Sequence, residues 1–178
     1  MAATNGATSQ DRELIERCVQ LALAAEARGD LPVGSLITLD GEVLAEGSAR
    51  TLSHGYQPRR HAEQEALAGV PVEAWPRAER MSCYTTLEPC LMCFGSLLLC
   101  GIGRIVFGAT DVLGGARFVL GSMPPYYSER RGLPEWIGPV LPEGYVVAEE
   151  QFIMVEVLVD VHGNAAEVRL LQPSGDEV

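Results

Sequence analysis

From Asp11 the chain places Leu14, Cys18, Leu21 and Ala25 at intervals of three and four residues. That spacing predicts one buried face of an α-helix ending near Gly29. The period then falls to two. Val33–Leu39 and Glu42–Glu46 are short β-prone runs, and Asp40-Gly41 between them is a strong hairpin signal. Thr51–Arg60, with Gly55 and Pro58, reads as a loop, followed by a helix over His61–Ala68 that stops at Gly69. Val70–Arg80 holds Pro71 and Pro76 and reads as a connector. Met81–Leu87 suits a buried strand, and Pro89 suits the first position of a helix running to about Leu99, where a missing N–H is no loss. Ile105–Gly108 is a further strand, and Gly114-Gly115 marks a loop.

The order is therefore helix, two strands, helix, strand, helix, strand, which predicts an α/β fold with a sheet covered by helices. Residues 1–10 read as a disordered leader and 11–150 as the main domain. Within it, the proline-rich stretch 121–144 is expected to form an irregular flap around a short helix. Residues 151–178 read as an added C-terminal β-hairpin of the same domain, with Gln151–Val161 and Glu167–Leu170 flanking His162-Gly163-Asn164.

The 178 residues suffice for one buried core, and a hydrophobic share of 47% argues against global disorder. Thirteen basic against 24 acidic side chains leave a net charge of −11. Nucleic acids are bound largely by neutralising phosphates, so this balance favours a small, weakly charged partner and makes nucleic acid a poor expectation. Arg59, Arg60, Arg77, Arg80, Arg104, Arg117, Arg130 and Arg131 are the arginines from which a local basic patch would have to be built. The N-terminus has no signal-peptide pattern, and the longest apolar stretch, Leu91 to Val106, is interrupted by Gly95, Gly101, Gly103 and Arg104. No membrane partner is expected. Five cysteines without a secretion signal point to a reducing cytoplasm and to metal binding or inert thiols.

Two segments carry chemistry: Arg60-His61-Ala62-Glu63 and Glu88-Pro89-Cys90-Leu91-Met92-Cys93. A helix starting at Pro89 puts Cys90 and Cys93 on one face within one turn, where both sulfurs can meet one ion. The positive helix end favours the thiolates a metal requires. His61 adds a nitrogen, giving three protein ligands and an open fourth position, the mark of a catalytic zinc. Glu63, two residues on, does not share the face of His61. Its carboxylate is therefore expected to serve a metal-activated water as acid and base instead of binding the ion.

These segments, with Thr85-Thr86-Leu87 before Glu88, resemble the signature of the cytidine and deoxycytidylate deaminase superfamily, whose metal and proton-carrier roles are known for that signature. The resemblance is strongest to the branch of tRNA adenosine deaminases and bacterial guanine deaminases. Leu31-Pro32-Val33-Gly34 and Ile102–Asp111 add to it. It implies a three-layer α/β/α fold with a five-stranded mixed sheet, zinc as cofactor, and a homodimer. Members of the branch commonly carry an Asn after the second strand to contact the base; in Glu46-Gly47-Ser48-Ala49-Arg50, Ala49 or Ser48 stands there. The tRNA enzymes end in basic helical segments, whereas residues 141–178 here are strongly acidic.

The reading that results is a zinc-dependent hydrolytic deaminase of a free nucleobase, nucleoside or related aminated heterocycle, with a guanine-like purine preferred. Adenosine in a tRNA is one alternative; a non-catalytic, zinc-stabilised binding module with a closed metal shell, completed by Cys83 or Cys100, is another. Ala49, His54, Pro89, Tyr126 and Trp136 are the candidates for lining the substrate pocket. For the aromatics, stacking on a flat ring and packing down the flap are both open, and a surface role is open for His54. Cys18 is expected in the core, and Glu65 on a solvated helix face.

Overall fold

The structure, a computed structural model, describes residues 6–53, 55–141, 154–159 and 165–171. Helix α1 (Ser9–Glu26) opens on a reciprocal cap: the Thr8 hydroxyl accepts the Asp11 N–H at 3.1 Å, and the Asp11 carboxylate accepts the Thr8 N–H at 2.7 Å. The helix thus begins two residues ahead of Asp11. Residues 1–5 of the expected leader lie outside the described residues.

Strands β1 (Gly34–Leu39) and β2 (Glu42–Ser48) form the expected hairpin, and both turn residues take positive φ, 53° at Asp40 and 87° at Gly41. Helix α2 (Ala62–Ala68), strand β3 (Met81–Leu87), helix α3 (Leu91–Cys100) and strand β4 (Arg104–Ala109) follow in the expected order. The sheet runs β2-β1-β3-β4-β5, antiparallel on the β2 side and parallel from β3 onward.

Its fifth strand, β5 (Glu135–Ile137), corrects the expected flap. Residues 121–144 were expected to be irregular around a short helix. Instead, a 3-10 helix over Ala116–Ser122 and a turn of π-helix over Tyr126–Arg131 lead into a strand beside β4. Three residues between Pro134 and Gly138-Pro139 are too few to show a period; the parallel pairing with β4 makes them a strand. The connector before β3, Val72–Arg80, is itself made of 3-10 turns, broken by a kink at Arg77.

Register turns the alternation of each strand into two rows across the sheet. Leu36, Tyr84, Val106 and Ile137 are paired in sequence and pack with Leu14, Ile15 and Cys18 of α1. The adjacent row, Ile37, Cys83, Ile105 and Trp136, faces the other way and packs with Ala66, Leu67, Phe94 and Leu97 of α2 and α3. The layers are α1, sheet, then α2 with α3: the three-layer arrangement expected. Gly47 lets α2 seat directly on β2, because a Cβ there would lie 2.3 Å from the Ala62 carbonyl oxygen.

The chain divides into two compact units, Met1–Val147 and Ala148–Val178. In the second, β6 (Met154–Val159) and β7 (Ala165–Leu171) pair antiparallel with Val157 opposite Val168, forming the expected hairpin strands. Its turn, including His162, lies outside the described residues. Among the described residues, no helix is long and apolar enough to cross a membrane.

Asp11 does more than cap α1. Its carboxylate, 1% exposed, accepts two N–H bonds from Arg104 at 2.7 and 2.9 Å and the Tyr84 hydroxyl at 2.9 Å, tying the helix to β3 and β4. Burial pushes this carboxyl up, but Arg104, Thr8 and Tyr84 together outweigh it and hold it well below its ordinary 3.8. A depressed carboxyl contributes stability that is present above the unfolded-state value and lost as pH falls through the folded one. Asp11→Asn is therefore expected to cost about 1–3 kcal/mol at neutral pH. In thermal melts across a pH series, the gap to wild type should shrink once the pH drops below 3.8.

Candidate active site

Two helix starts meet on one side of the sheet. His61 is the N-cap of α2, with extended backbone (φ −73°, ψ 157°), so its side chain stands off the end of the helix. Cys90 is the N-cap of α3 (φ −71°, ψ 172°), and Cys93 lies in the first turn. The α3 helix begins at Leu91, not at Pro89 as expected. Pro89 stays outside because its carbonyl is taken by the Ala116 N–H at 2.9 Å.

His61 Nδ1 lies 3.6 Å from Cys90 Sγ and 3.6 Å from Cys93 Sγ. One ring nitrogen cannot donate a single proton to two sulfurs at once. The equal distances instead describe three atoms around a common point. Tetrahedral zinc, with bonds of about 2.3 Å to sulfur and 2.0 Å to nitrogen, separates the two ligand atoms by about 3.5 Å. The three residues therefore fit a zinc ion. Among the described residues this cluster contains His61, Cys90 and Cys93. Cys83, weighed as a further ligand, is buried beside the Ser35 hydroxyl at 3.6 Å, and Cys18 is fully buried in the core.

The Cys93 S–H, and then the His61 ring, favour the Cys90 thiolate against the effect of burial. Hydrogen bonding to Cys90 raises the His61 pKa despite burial. Glu63, 4% exposed in the first turn of α2, has Oε2 within 3.4 Å of Cys93 Sγ and accepts from the Thr85 hydroxyl at 3.4 Å. Burial pushes its carboxyl above the ordinary 4.5. A buried carboxylate of raised pKa beside a ligand set can both take and return a proton.

Buried carboxylates hold this arrangement, and sequence reasoning missed them. Glu88 is enclosed. It accepts the Asp111 N–H at 3.2 Å and the Arg117 N–H at 3.0 Å, and it pairs with the Arg117 guanidinium. Gly115 is required beneath it, since a Cβ would lie 2.5 Å from the Glu88 carboxyl carbon. Asp111 ties its own loop through the N–H groups of Leu113 and Gly114. Asp30 gathers the N–H groups of Leu31, Thr51 and Ser53 at 2.9–3.0 Å and shapes the loop leading to His61. Glu65 is no free surface carboxylate: it is gripped by both nitrogens of the Arg60 fork. A carboxylate in a loop flanked by apolar residues, such as Glu88 between Leu87 and Pro89, was the available signal.

The substrate-pocket candidates separate. Ala49 is buried at the end of β2, and the next residue, Arg50, bonds through its N–H to the Arg60 carbonyl beside His61. Pro89 is buried next to Cys90. His54 lies outside the described residues. Tyr126 is 51% exposed and meets Tyr127 edge-on at 5.1 Å. Trp136 sits in β5 against Phe94 and Phe107, at 5.2 and 5.4 Å, so packing accounts for it.

A family model described as the cytidine and deoxycytidylate deaminase zinc-binding region matches residues 8–109. The tRNA-specific adenosine deaminase of Bacillus subtilis is 34% identical over 110 residues, 60% of this chain and 66% of that protein. The chain spans less than two thirds of the length of the first curated relatives it matches. A solved structure from studies of A-to-I editing by tRNA:A34 deaminases at the wobble position of transfer RNA is 28% identical, with a TM-score of 0.61. That match covers 72% of this chain and 98% of the other. The guanine deaminase of Bacillus subtilis, at 23% identity and a TM-score of 0.51 over 69% of this chain and 82% of its own, shares the fold.

Glu88→Gln keeps the shape of the carboxylate but turns an amide donor toward the Asp111 N–H or Arg117. It is expected to cost about 1–3 kcal/mol, and Glu88→Ala more. Denaturant unfolding of both variants measures this; equal midpoints with wild type would contradict the clamp.

Proposed function

Because this chain belongs to the cytidine and deoxycytidylate deaminase family, we propose that it hydrolyses the exocyclic amine of an adenosine in tRNA, with zinc held by His61, Cys90 and Cys93. The reaction class is carried by one observation: a buried Glu63 carboxylate 3.4 Å from one of three converging ligands. The substrate departs from the free guanine-like base preferred on sequence grounds. Support for adenosine in tRNA comes from the relatives, since the 34%-identical protein is a tRNA-specific adenosine deaminase and the guanine deaminase shares the fold at lower identity.

Zinc bound at these ligands supplies the Lewis acidity that makes water nucleophilic near neutral pH. Glu63 would take a proton from the attacking water and return protons to the ring nitrogen and the departing amine. A C–O bond forms and the exocyclic C–N bond breaks. One proton of the water leaves in ammonia, and the other remains on the ring nitrogen of the inosine product. Thr85 steadies one carboxylate oxygen of Glu63, and the enclosure of the side chain keeps bulk water from competing for its proton. A cytoplasmic location is supported by five free thiols, and a homodimer by the exposed apolar side chains of Leu91, Leu99 and Phe118.

The electrostatics favour a second reading, a free aminated heterocycle. Arg60, Arg80, Arg104 and Arg117 each face a carboxylate, which leaves them poor phosphate partners, and the net charge is −11. An RNA substrate would then be held chiefly through an unstacked loop base, with only a shallow dependence of binding on salt.

Glu63→Ala is expected to retain zinc at wild-type stoichiometry and lose at least about 1,000-fold in turnover, the scale of a general acid–base residue. Ammonia release and inosine formation from a tRNA anticodon stem-loop, beside a panel of free purines and pyrimidines, choose between the substrates. Turnover of a free base with none on RNA would reverse the choice.

A further inference from the structure

His61 makes no side-chain cap bond at the start of α2, so its ring goes where the backbone before it is held. That backbone ends a loop over residues 50–60 that is closed at its stem. The Arg60 carbonyl accepts the Arg50 N–H at 2.9 Å and the Thr51 hydroxyl at 3.5 Å. The Arg60 N–H donates to the Gln57 carbonyl at 3.0 Å, and the Gln57 N–H donates to the Thr51 carbonyl at 2.7 Å. Thr51 thus bonds to both Gln57 and Arg60, and Arg60 immediately precedes His61.

Thr51 is fixed in turn by Asp30, which follows α1 and closes on it through an N–H donated to the Ala25 carbonyl at 3.0 Å. The Asp30 side chain is buried. Its Oδ1 accepts the Thr51 N–H at 2.9 Å, its Oδ2 accepts the Ser53 N–H at 3.0 Å, and the Leu52 N–H lies 3.3 Å from both. Three consecutive N–H groups aimed at one carboxylate make a concave anion nest. A buried carboxylate is costly without such donors, and with them it fixes all three residues at once. The loop therefore hangs from the end of α1 at a single point.

We infer that Asp30 is a positioning residue for the metal centre: by holding the N–H groups of Thr51, Leu52 and Ser53 it sets the stem of the 50–60 loop, and with it the place of the His61 ring relative to the Cys90 and Cys93 sulfurs. The inference rests on the metal site proposed above. It gives Asp30 a duty that Asp11, another buried carboxylate, does not share. Asp11 ties α1 to Tyr84 and Arg104, and Tyr84 packs on the α1 side of the sheet, away from α2 and α3.

The test compares wild type with Asp30→Asn, which keeps the shape but turns an amide N–H toward one of the loop donors. Asp11→Asn is the control for a loss of stability remote from the loop. Zinc affinity is measured by competition with a chromophoric chelator. The visible ligand-field bands of the cobalt(II)-loaded proteins are recorded at a temperature where circular dichroism shows each variant folded. Asp30→Asn is expected to bind one ion per chain, with displaced bands and affinity reduced about 10- to 100-fold. Asp11→Asn is expected to melt earlier yet keep the affinity and bands of wild type. Asp30→Ser, with one acceptor oxygen and room for a water, is read in the same way should Asp30→Asn fail to fold. Wild-type bands in the folded Asp30 variant, or the same displacement in Asp11→Asn, overturn the positioning role and leave the metal site standing. A wild-type protein that takes up neither ion overturns the metal site itself.

Discussion

Everything at this site depends on two helices starting at the same place. The N-caps of α2 and α3 are His61 and Cys90, and their extended backbones point both side chains off the helix ends toward one spot. Neither helix could be moved by half a turn without losing the 3.6 Å separations between His61 Nδ1 and the two sulfurs. The sheet sets that meeting. Helix α2 is pressed onto β2 at Gly47, and α3 follows β3, which is paired in register with both β1 and β4.

The same constraint explains why an acidic chain buries so many carboxylates. Glu88, Asp111 and Asp30 sit in loops, where backbone N–H groups have no strand or helix partner and need acceptors. A carboxylate accepts several such bonds at once, which an amide or hydroxyl cannot match. Asp11 performs the corresponding task between α1, β3 and β4. Glu63 differs in kind. Burial drives its carboxyl up and its partners at 3.4 Å are weak, which suits the proton-carrying role proposed for it.

Charge and family affinity pull in different directions over the substrate. Four of the eight arginines that might have formed a phosphate-binding surface, Arg60, Arg80, Arg104 and Arg117, are committed to Glu65, Asp40, Asp11 and Glu88. Ala49 occupies the end of β2 with no polar group to offer a base. The chain nevertheless matches tRNA-specific adenosine deaminases at 34% and 37% identity. A pocket that grips a single unstacked base asks less of the surrounding surface than a groove that tracks a duplex, and that reconciles the two.

The sequence by itself determined the local elements and nominated the residues of the candidate site. Period and turn residues marked the helices, the Asp40-Gly41 hairpin and the strands β1 to β4, and two short motifs nominated His61, Glu63, Cys90 and Cys93, because these signals depend only on near neighbours along the chain. Tertiary structure alone decided what depends on distant ones. It made Glu135–Ile137 a strand through pairing with β4 and turned Trp136 from a pocket candidate into a packing residue beside Phe94. It moved the start of α3 past Pro89 by giving that carbonyl to Ala116. It also put Glu88 against Arg117, a contact across 29 residues that no local period could announce.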